Sequence, residues 1–150
     1  MTAEFNPTLD DMLCFAIYSA HNAFNRFYKP MMDELGLTYP QYLAMMALWE
    51  GDDLPVSGLG RRLGLESNTL TPLLKRLEAQ GHVQRVRDQD DERQVRIRLT
   101  DAGRALQTRA NDMLACAFEA TDMDETALRA LKSQIDRLST TLTAARQSPN

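Results

Sequence analysis

The stretch Glu66-Ser67-Asn68-Thr69-Leu70-Thr71-Pro72-Leu73-Leu74-Lys75-Arg76-Leu77-Glu78-Ala79-Gln80-Gly81 decides the fold, together with His82-Val83-Gln84-Arg85-Val86-Arg87 and Gln94-Val95-Arg96-Ile97-Arg98-Leu99 behind it. Leu70, Leu73, Leu74 and Leu77 recur at i, i+3, i+4 and i+7, which is one apolar face of a helix. Gly81 reads as the C-cap. Pro72 must sit in about the first turn, or the helix is locally distorted. After Gly81 the period changes from helical to two. The two alternating runs flank the polar segment 88–93, the pattern of a β-hairpin with a charged tip.

Outward from this stretch the chain reads as helices. A short one is expected over 57–63, ended by Gly64. Another runs from near Thr38 to Glu50, with Pro40 in its first turn, where the missing N–H costs little; Gly51-Asp52-Asp53 is a turn. The first helix spans residues 9 to about 35. Its apolar residues Leu9, Leu13, Ala16, Ile17, Ala20, Phe24, Phe27 and Met31 form one face. Thr8 is the candidate N-cap, with Asp10 and Asp11 in the first turn; Pro30 should kink or shorten this helix, and Gly36 stops it. Behind the hairpin, Thr100 or Asp101 caps a helix to about Thr121. A last helix begins near Asp124 and carries Leu128, Leu131, Ile135, Leu138 and Leu142 at three-four spacing. Residues 147–150 should fray. The fold class is therefore mainly α with a small β-hairpin wing.

Short helix, turn, helix and hairpin is the layout of a winged helix-turn-helix. With the leucine stripe inward, the other face of the second helix offers Ser67, Asn68, Thr69, Thr71, Lys75 and Arg76. Small hydroxyl and amide groups near a helix N-terminus enter a major groove without clashing, and Lys75 and Arg76 reach phosphates or guanine edges. The hairpin tip presents Arg93 to an adjacent minor groove. The plainer alternative is a solvated amphipathic helix beside an incidental hairpin, with Arg85, Arg87, Arg96 and Arg98 as solvent-facing strand residues. Glu66, Glu78, Asp88 and Asp90 read most simply as solvated charges.

The chain has 150 residues, 43% hydrophobic and 25% charged, which fits one globular domain and excludes a disordered or fibrous protein. Its longest apolar run, residues 43–49, is far short of the ~20 residues of a membrane span. Acidic residues precede the first Lys or Arg, against a secretory leader. A soluble cytoplasmic protein is expected, with no membrane partner. Net charge is −4, but the balance is uneven. Residues 56–104 carry ten Lys/Arg against seven acids, and the remainder seven against fourteen, so a basic working surface stands on an acidic body. Two cysteines, Cys14 and Cys116, make neither a disulfide scaffold nor, alone, a metal site. His21 and His82 are isolated, and no metal or cofactor is expected.

Cys14 on its own reads as a small buried hydrophobe. Yet Cys14, Tyr18, His21, Asn25 and Tyr28 form a second, hydrogen-bonding stripe on the first helix, and a helix with two occupied faces usually has two neighbours. Cys14 and Tyr28 lie fourteen residues apart, roughly 21 Å on a continuous helix, so they cannot touch within one chain. If the first helices of two subunits cross antiparallel, Tyr28 of one approaches Cys14 of the other.

Asp91-Glu92-Arg93 with Leu99-Thr100 downstream resembles the wing signature of the MarR family of regulators. One branch, the organic hydroperoxide resistance regulators (OhrR), is more closely resembled. The matching blocks are residues 13–20, Tyr28-Lys29-Pro30, 35–43 and 70–78, and the likeness covers residues 9 to about 106. This resemblance implies a homodimeric repressor on pseudo-palindromic double-stranded operator DNA. Residues 38–100 would be its winged helix-turn-helix, and 1–37 with 101–150 its helical dimerisation region. Asp91 would shape the wing tip and Arg93 enter the minor groove. It further implies that Cys14 is the reactive thiol, hydrogen-bonded by Tyr28 and Tyr39 of the partner subunit, with Tyr18 lining the pocket. Phenol donors favour the charged form of a thiol. An organic hydroperoxide would oxidise Cys14 to a sulfenic acid, and Phe15, Ile17, Phe24, Met45 and Met46 would supply an apolar pocket or be ordinary core. Some members of the branch resolve that acid with a second cysteine as an intersubunit disulfide, the role Cys116 would take; others lack the second cysteine and rely on small thiols. Competing readings are a repressor released by a small aromatic ligand with inert cysteines, a thiol peroxidase, and a purely structural dimerisation protein.

Overall fold

A computed structural model describes residues 6–147; the fraying expected of Ser148, Pro149 and Asn150 lies outside them. It contains α1 (Leu13–Leu35), α2 (Tyr39–Glu50), β1 (Leu54–Pro55), α3 (Val56–Leu63), α4 (Ser67–Ala79), β2 (Val83–Arg87), β3 (Val95–Leu99), α5 (Asp101–Ala120) and α6 (Glu125–Gln147). The strands form one antiparallel sheet in the order β1-β3-β2. The fold is mainly α with a winged helix-turn-helix, as the sequence indicates. The chain divides into two compact units, one ending at Met113 and the other beginning at Leu114.

In the first unit the core is built where the leucine spacing places it. Leu70, Leu73, Leu74 and Leu77 of α4 are all buried, beside Leu48 of α2, Leu59 of α3, Val83 of β2 and Ile97 of β3. Each fully buried aliphatic side chain contributes roughly 1.5–3 kcal/mol. Helix ends are closed by short polar side chains. Thr38 accepts from the Gln41 N–H, and the Gln41 side chain accepts from the Thr38 N–H. Thr100 Oγ1 accepts from the Gly103 N–H at 3.0 Å and donates to the Gly81 carbonyl at 2.6 Å. One hydrogen bond ties α2 to the start of α5: the Trp49 indole N–H donates to the Gly103 carbonyl at 3.0 Å.

Several expectations are corrected. The expected first helix is two elements, a 3₁₀ turn at Leu9–Asp11 capped by Thr8 and Asp11, then α1 after a break at Met12. Pro30 does not shorten α1, which continues to Leu35 before Gly36 turns left-handed. Pro72 is the sixth residue of α4, beyond the first turn, and the helix is continuous. Both prolines are on exposed positions, where the carbonyl each leaves unbonded faces water rather than core. The C-cap of α4 is Gln80, and Gly81 follows with φ +82. The hairpin has a third partner, since Leu54 pairs with Ile97 and Pro55 with Arg96. The apolar face of α1 is not core: Leu13, Ile17, Phe24 and Phe27 are exposed, and the buried residues are Tyr28, Met32 and Leu35.

In the second unit, α5 ends in a turn where Asp122 takes φ +53. Asp124 caps α6 by accepting the Ala127 N–H at 2.8 Å. Along α6, Glu125–Arg129 and Lys132–Asp136 pair at i, i+4. Of the expected seam, Leu128 and Leu138 are half-buried, while Leu131, Ile135 and Leu142 are exposed. Among the described residues no helix is long and apolar enough to cross a membrane.

Within the first unit, the start of α5 runs close against His82 at Gly103. A Cβ there would lie 2.0 Å from the His82 carbonyl oxygen, whereas one at Gly51 would meet nothing within 4 Å. Gly103→Ala is expected to lower unfolding free energy by about 2–3 kcal/mol through forced backbone displacement. Gly51→Ala should stay within about 0.5 kcal/mol of the parent. Urea titration of both variants checks the contrast.

Candidate nucleic-acid interface and cysteine positions

Burial of the leucine stripe turns the rest of α4 outward. Ser67, Asn68, Thr69, Lys75 and Arg76 are exposed, and Thr71 is half-buried. By helical spacing Asn68, Pro72 and Lys75 run down the middle of the outer face, with Ser67 and Thr71 on one flank and Thr69 and Arg76 on the other. The Arg76 flank borders a hollow of about 520 Å³, lined also by Met32, Asp33, Gln41 and Gln80.

At the wing tip Arg93 is free to reach outward: its side chain is 95% exposed, and Asp91 Oδ1 lies 3.5 Å from its Nε. Asp91 shapes the turn by accepting the Arg93 N–H at 3.1 Å and, through its carbonyl, the Gln94 N–H at 2.8 Å.

Residues that the sequence leaves as plain charges hold the wing in place. Asp88 Oδ1 accepts the N–H groups of Asp90 at 2.8 Å and Asp91 at 3.3 Å. Those bonds, with help from Arg96, hold its carboxyl below the usual carboxylate range. Glu78 accepts the Arg85 N–H at 2.8 Å. Arg96 is not a solvent-facing strand residue. It bonds Asp53 Oδ1 at 2.8 Å, the Asp53 carbonyl, and Asp88 Oδ2 at 3.2 Å. Arg98 Nε lies 3.0 Å from Asp53 Oδ1, and these two arginines, Arg98 foremost, hold the Asp53 carboxyl low. Asp52 accepts the Leu99 N–H at 2.8 Å and Arg104 at 3.1 Å. Sequence periodicity carries no sign of this cluster, because it joins a two-residue strand and a turn to β3.

Cys14 is exposed and is the second residue of α1, since the break at Met12 brings the helix start next to it. Tyr18 is exposed, and Asn25 Nδ2 lies 3.0 Å from His21 Nε2 on the same stripe. Tyr28 is buried and stacks on Tyr39 at 5.4 Å between ring centroids. Tyr39 neighbours Tyr42 at 6.1 Å, and Tyr42 neighbours Trp49 at 6.5 Å. The sequence reading gave Tyr42 and Trp49 no site role; Trp49 closes the apolar run 43–49 and Tyr42 directly precedes it. A cleft of about 280 Å³ is lined by Asn25, Tyr28, Lys29, Thr38 and Tyr39, among others. Met45 is fully buried core and Met46 half-buried. Cys116, in the second unit, is exposed. Among the described residues no cluster of three or more His, Cys, Asp or Glu is placed to hold a metal ion.

The helix pair with its three-stranded wing is the apparatus of a winged-helix protein. A profile described as transcriptional regulator SarA/Rot matches residues 26–109. The chain is 42% identical to the organic hydroperoxide resistance transcriptional regulator of Bacillus subtilis, over 89% of this chain and 91% of that one. It is 59% identical over 66% of its length to the HTH-type transcriptional regulator TtmR of Methylorubrum extorquens, spanning about half (51%) of that protein. Its fold superposes on reduced AbfR of Staphylococcus epidermidis bound to DNA with a TM-score of 0.79 at 36% identity, covering 93% of this chain and 96% of that one. For disulfide-formed AbfR the score is 0.67 at 37% identity, covering 93% of each chain. The chain belongs to the MarR family of winged-helix transcriptional regulators, in its organic hydroperoxide resistance regulator branch.

Burial pushes the phenols of Tyr28, Tyr39 and Tyr42 above the ordinary value of 10.0, with further upward pushes on Tyr28 from Tyr39 and on Tyr42 from Tyr28 and Tyr39. The folded chain therefore prefers these phenols uncharged. Their contribution to stability is complete below pH 10 and is lost as pH rises through the higher folded values. An alkaline absorbance titration should show three of the four tyrosines ionising above pH 10 in the folded protein and moving down on addition of denaturant.

Proposed function

We propose that this chain is a redox-sensing transcriptional repressor of the cytoplasm, which binds operator DNA as a reduced homodimer and lets go when Cys14 is oxidised by an organic hydroperoxide. The observation that carries this reading is an exposed cysteine in the first turn of α1, on a chain 42% identical almost end to end to an organic hydroperoxide resistance regulator.

In this reading residues 38–100 are the DNA-binding region, and residues 1–37 and 101–150 form the dimerisation region of a single domain. The apolar residues left exposed on α1 and, separately, on α5 and α6 suit a subunit interface, because large apolar side chains gathered on a helix rarely all face water in a monomer. Ser67, Asn68, Thr69, Thr71, Lys75 and Arg76 face the major groove of a pseudo-palindromic site. Asp91 holds the tip from which Arg93 enters the minor groove.

Cys14 and Tyr28 sit fourteen residues apart on one unbroken helix, about 21 Å, and do not meet within one protomer; by the likeness to organic hydroperoxide resistance regulators, the phenols beside the sulfur are those of Tyr28 and Tyr39 of the partner subunit, with Tyr18 at the pocket wall. The Cys14 thiolate attacks the peroxide: an S–O bond forms, the O–O bond breaks, and the alcohol departs after taking a proton. The thiol of Cys116 of the partner subunit then attacks the sulfenic sulfur, forming the disulfide and releasing water. A bridge requires Cα atoms within about 7 Å; where the reduced pair sits farther apart than that, forming it moves helices and re-spaces the two recognition helices. Lys75 and Arg93 on projecting elements suit a regulator better than a peroxidase. The 520 Å³ hollow beside Arg76 favours, as a second reading, a repressor released by a small aromatic ligand.

Gel-shift titration with DNA from the protein's own promoter region separates these readings. Wild type should bind when reduced and release with organic hydroperoxide. Cys14→Ser should bind equally and stay bound, and Cys116→Ser should be oxidised without forming an intersubunit crosslink on a non-reducing gel. Release of Cys14→Ser by hydroperoxide would defeat the redox reading, and its release by an aromatic acid would favour the ligand reading. Sustained turnover of hydroperoxide would favour a peroxidase.

A second prediction concerns the interface itself. Lys75→Ala should weaken binding to operator and unrelated DNA alike and lower the salt dependence by about one ion, as for loss of a phosphate contact. Fluorescence anisotropy across a salt series measures it.

A further inference from the structure

Resting on the DNA-binding reading, we propose that Asp53 is a positioning residue for the wing, setting through Arg96 and Asp88 where the tip holds Arg93. Asp53 lies in the loop between α2 and β1 and takes φ +60, a left-handed conformation uncommon outside glycine, in which Asp and Asn are the more tolerated residues. In that conformation both its carboxylate and its carbonyl meet β3. Oδ1 accepts from Arg96 Nε at 2.8 Å and lies 3.0 Å from Arg98 Nε, and the carbonyl accepts from Arg96 Nη2.

From Arg96 the contacts run on to the tip. Its Nη1 donates to Asp88 Oδ2 at 3.2 Å, and Asp88 Oδ1 holds the N–H groups of Asp90 and Asp91. Asp91 in turn accepts the N–H of Arg93. Every link from Asp53 to the residue that carries the outward guanidinium is therefore a charge-assisted hydrogen bond or a backbone bond to a carboxylate.

The exposures of the two arginines divide their work. The Arg96 side chain is 29% exposed and donates hydrogen bonds to both Asp53 and Asp88, while Arg93 is 95% exposed. Arg93 has no packing to aim it, so its reach is fixed by the frame beneath. A carboxylate near a phosphate backbone repels it, and an acid at this place is favourable for binding only if ordering the tip outweighs that repulsion. The sign of the effect of removing it is thus informative.

The test compares full-length wild type with Asp53→Gly, Asp53→Asn, Arg93→Ala and the double variant Asp53→Gly/Arg93→Ala. Glycine keeps the left-handed backbone and removes the carboxylate; asparagine keeps the backbone and one acceptor oxygen. In the free protein, Asp53→Gly should speed hydrogen exchange of the amides of residues 88–94 about tenfold while leaving those of α4 unchanged, and Asp53→Asn should restore part of the protection. On promoter DNA, Asp53→Gly should lose about tenfold in affinity, but less than about twofold when Arg93 is already alanine, since coupled residues are not additive. Unchanged exchange at the tip, a gain in affinity, or a full tenfold loss in the Arg93→Ala background would each overturn the proposal. The exchange measurement needs no DNA, so it decides the anchoring even if wild type fails to bind the promoter, a result that would overturn the DNA-binding reading instead.

Discussion

Everything in the first unit follows from turning one face of α4 inward. Leu70, Leu73, Leu74 and Leu77 are buried between α2, α3 and β2, and the helix has no freedom to rotate without exposing them. A rotation of one residue position would bring Lys75 or Thr71 toward the core, where a charge or an unmatched hydroxyl is costly. The same constraint that stabilises the fold therefore fixes which side chains meet solvent, and holds them on a rigid element rather than a loop. The wing is secured differently. Ile97, Val83 and Leu99 give it an apolar underside, but its outer half, beyond the reach of that core, is held by carboxylates and guanidiniums.

That difference explains how far the fold was legible in the sequence. Elements whose burial is periodic were readable: α2, α3, α4 and the two hairpin strands lie within a residue or so of where spacing and caps put them. β1 was not, because two residues, one of them proline, produce no period. The acids that hold the wing were misread for the same reason. Asp53 stands 43 residues before Arg96 in the chain, and nothing local marks the turn acid Asp53 or the hairpin acid Asp88 as partners of that guanidinium. The prolines erred in the other direction. Their local rule predicts disruption, yet on a solvent-facing position water can take up the carbonyl that the ring leaves free.

For α1 the periodicity was right and its meaning incomplete. The apolar stripe exists, but within one protomer Tyr28, Met32 and Leu35 are the buried set, while Leu13, Ile17, Phe24 and Phe27 stay outside. A pattern can identify a sticky face without identifying what covers it. The cysteine position was legible as a residue number and as part of a polar stripe. Its place in a first turn was not, since the break at Met12 has no marker in the sequence: methionine is neither a helix breaker nor a good cap.

The bond from the indole of Trp49 to the carbonyl of Gly103 gives the molecule its own reporter. Trp49 is the single tryptophan of the chain, and it sits where α2 meets the beginning of α5, stacked edge-on to Tyr42. Its emission colour and lifetime therefore sense that joint alone. A natural fluorophore at the root of the long helix would register any loosening there without a label, and could be followed in stopped flow while the bound state changes.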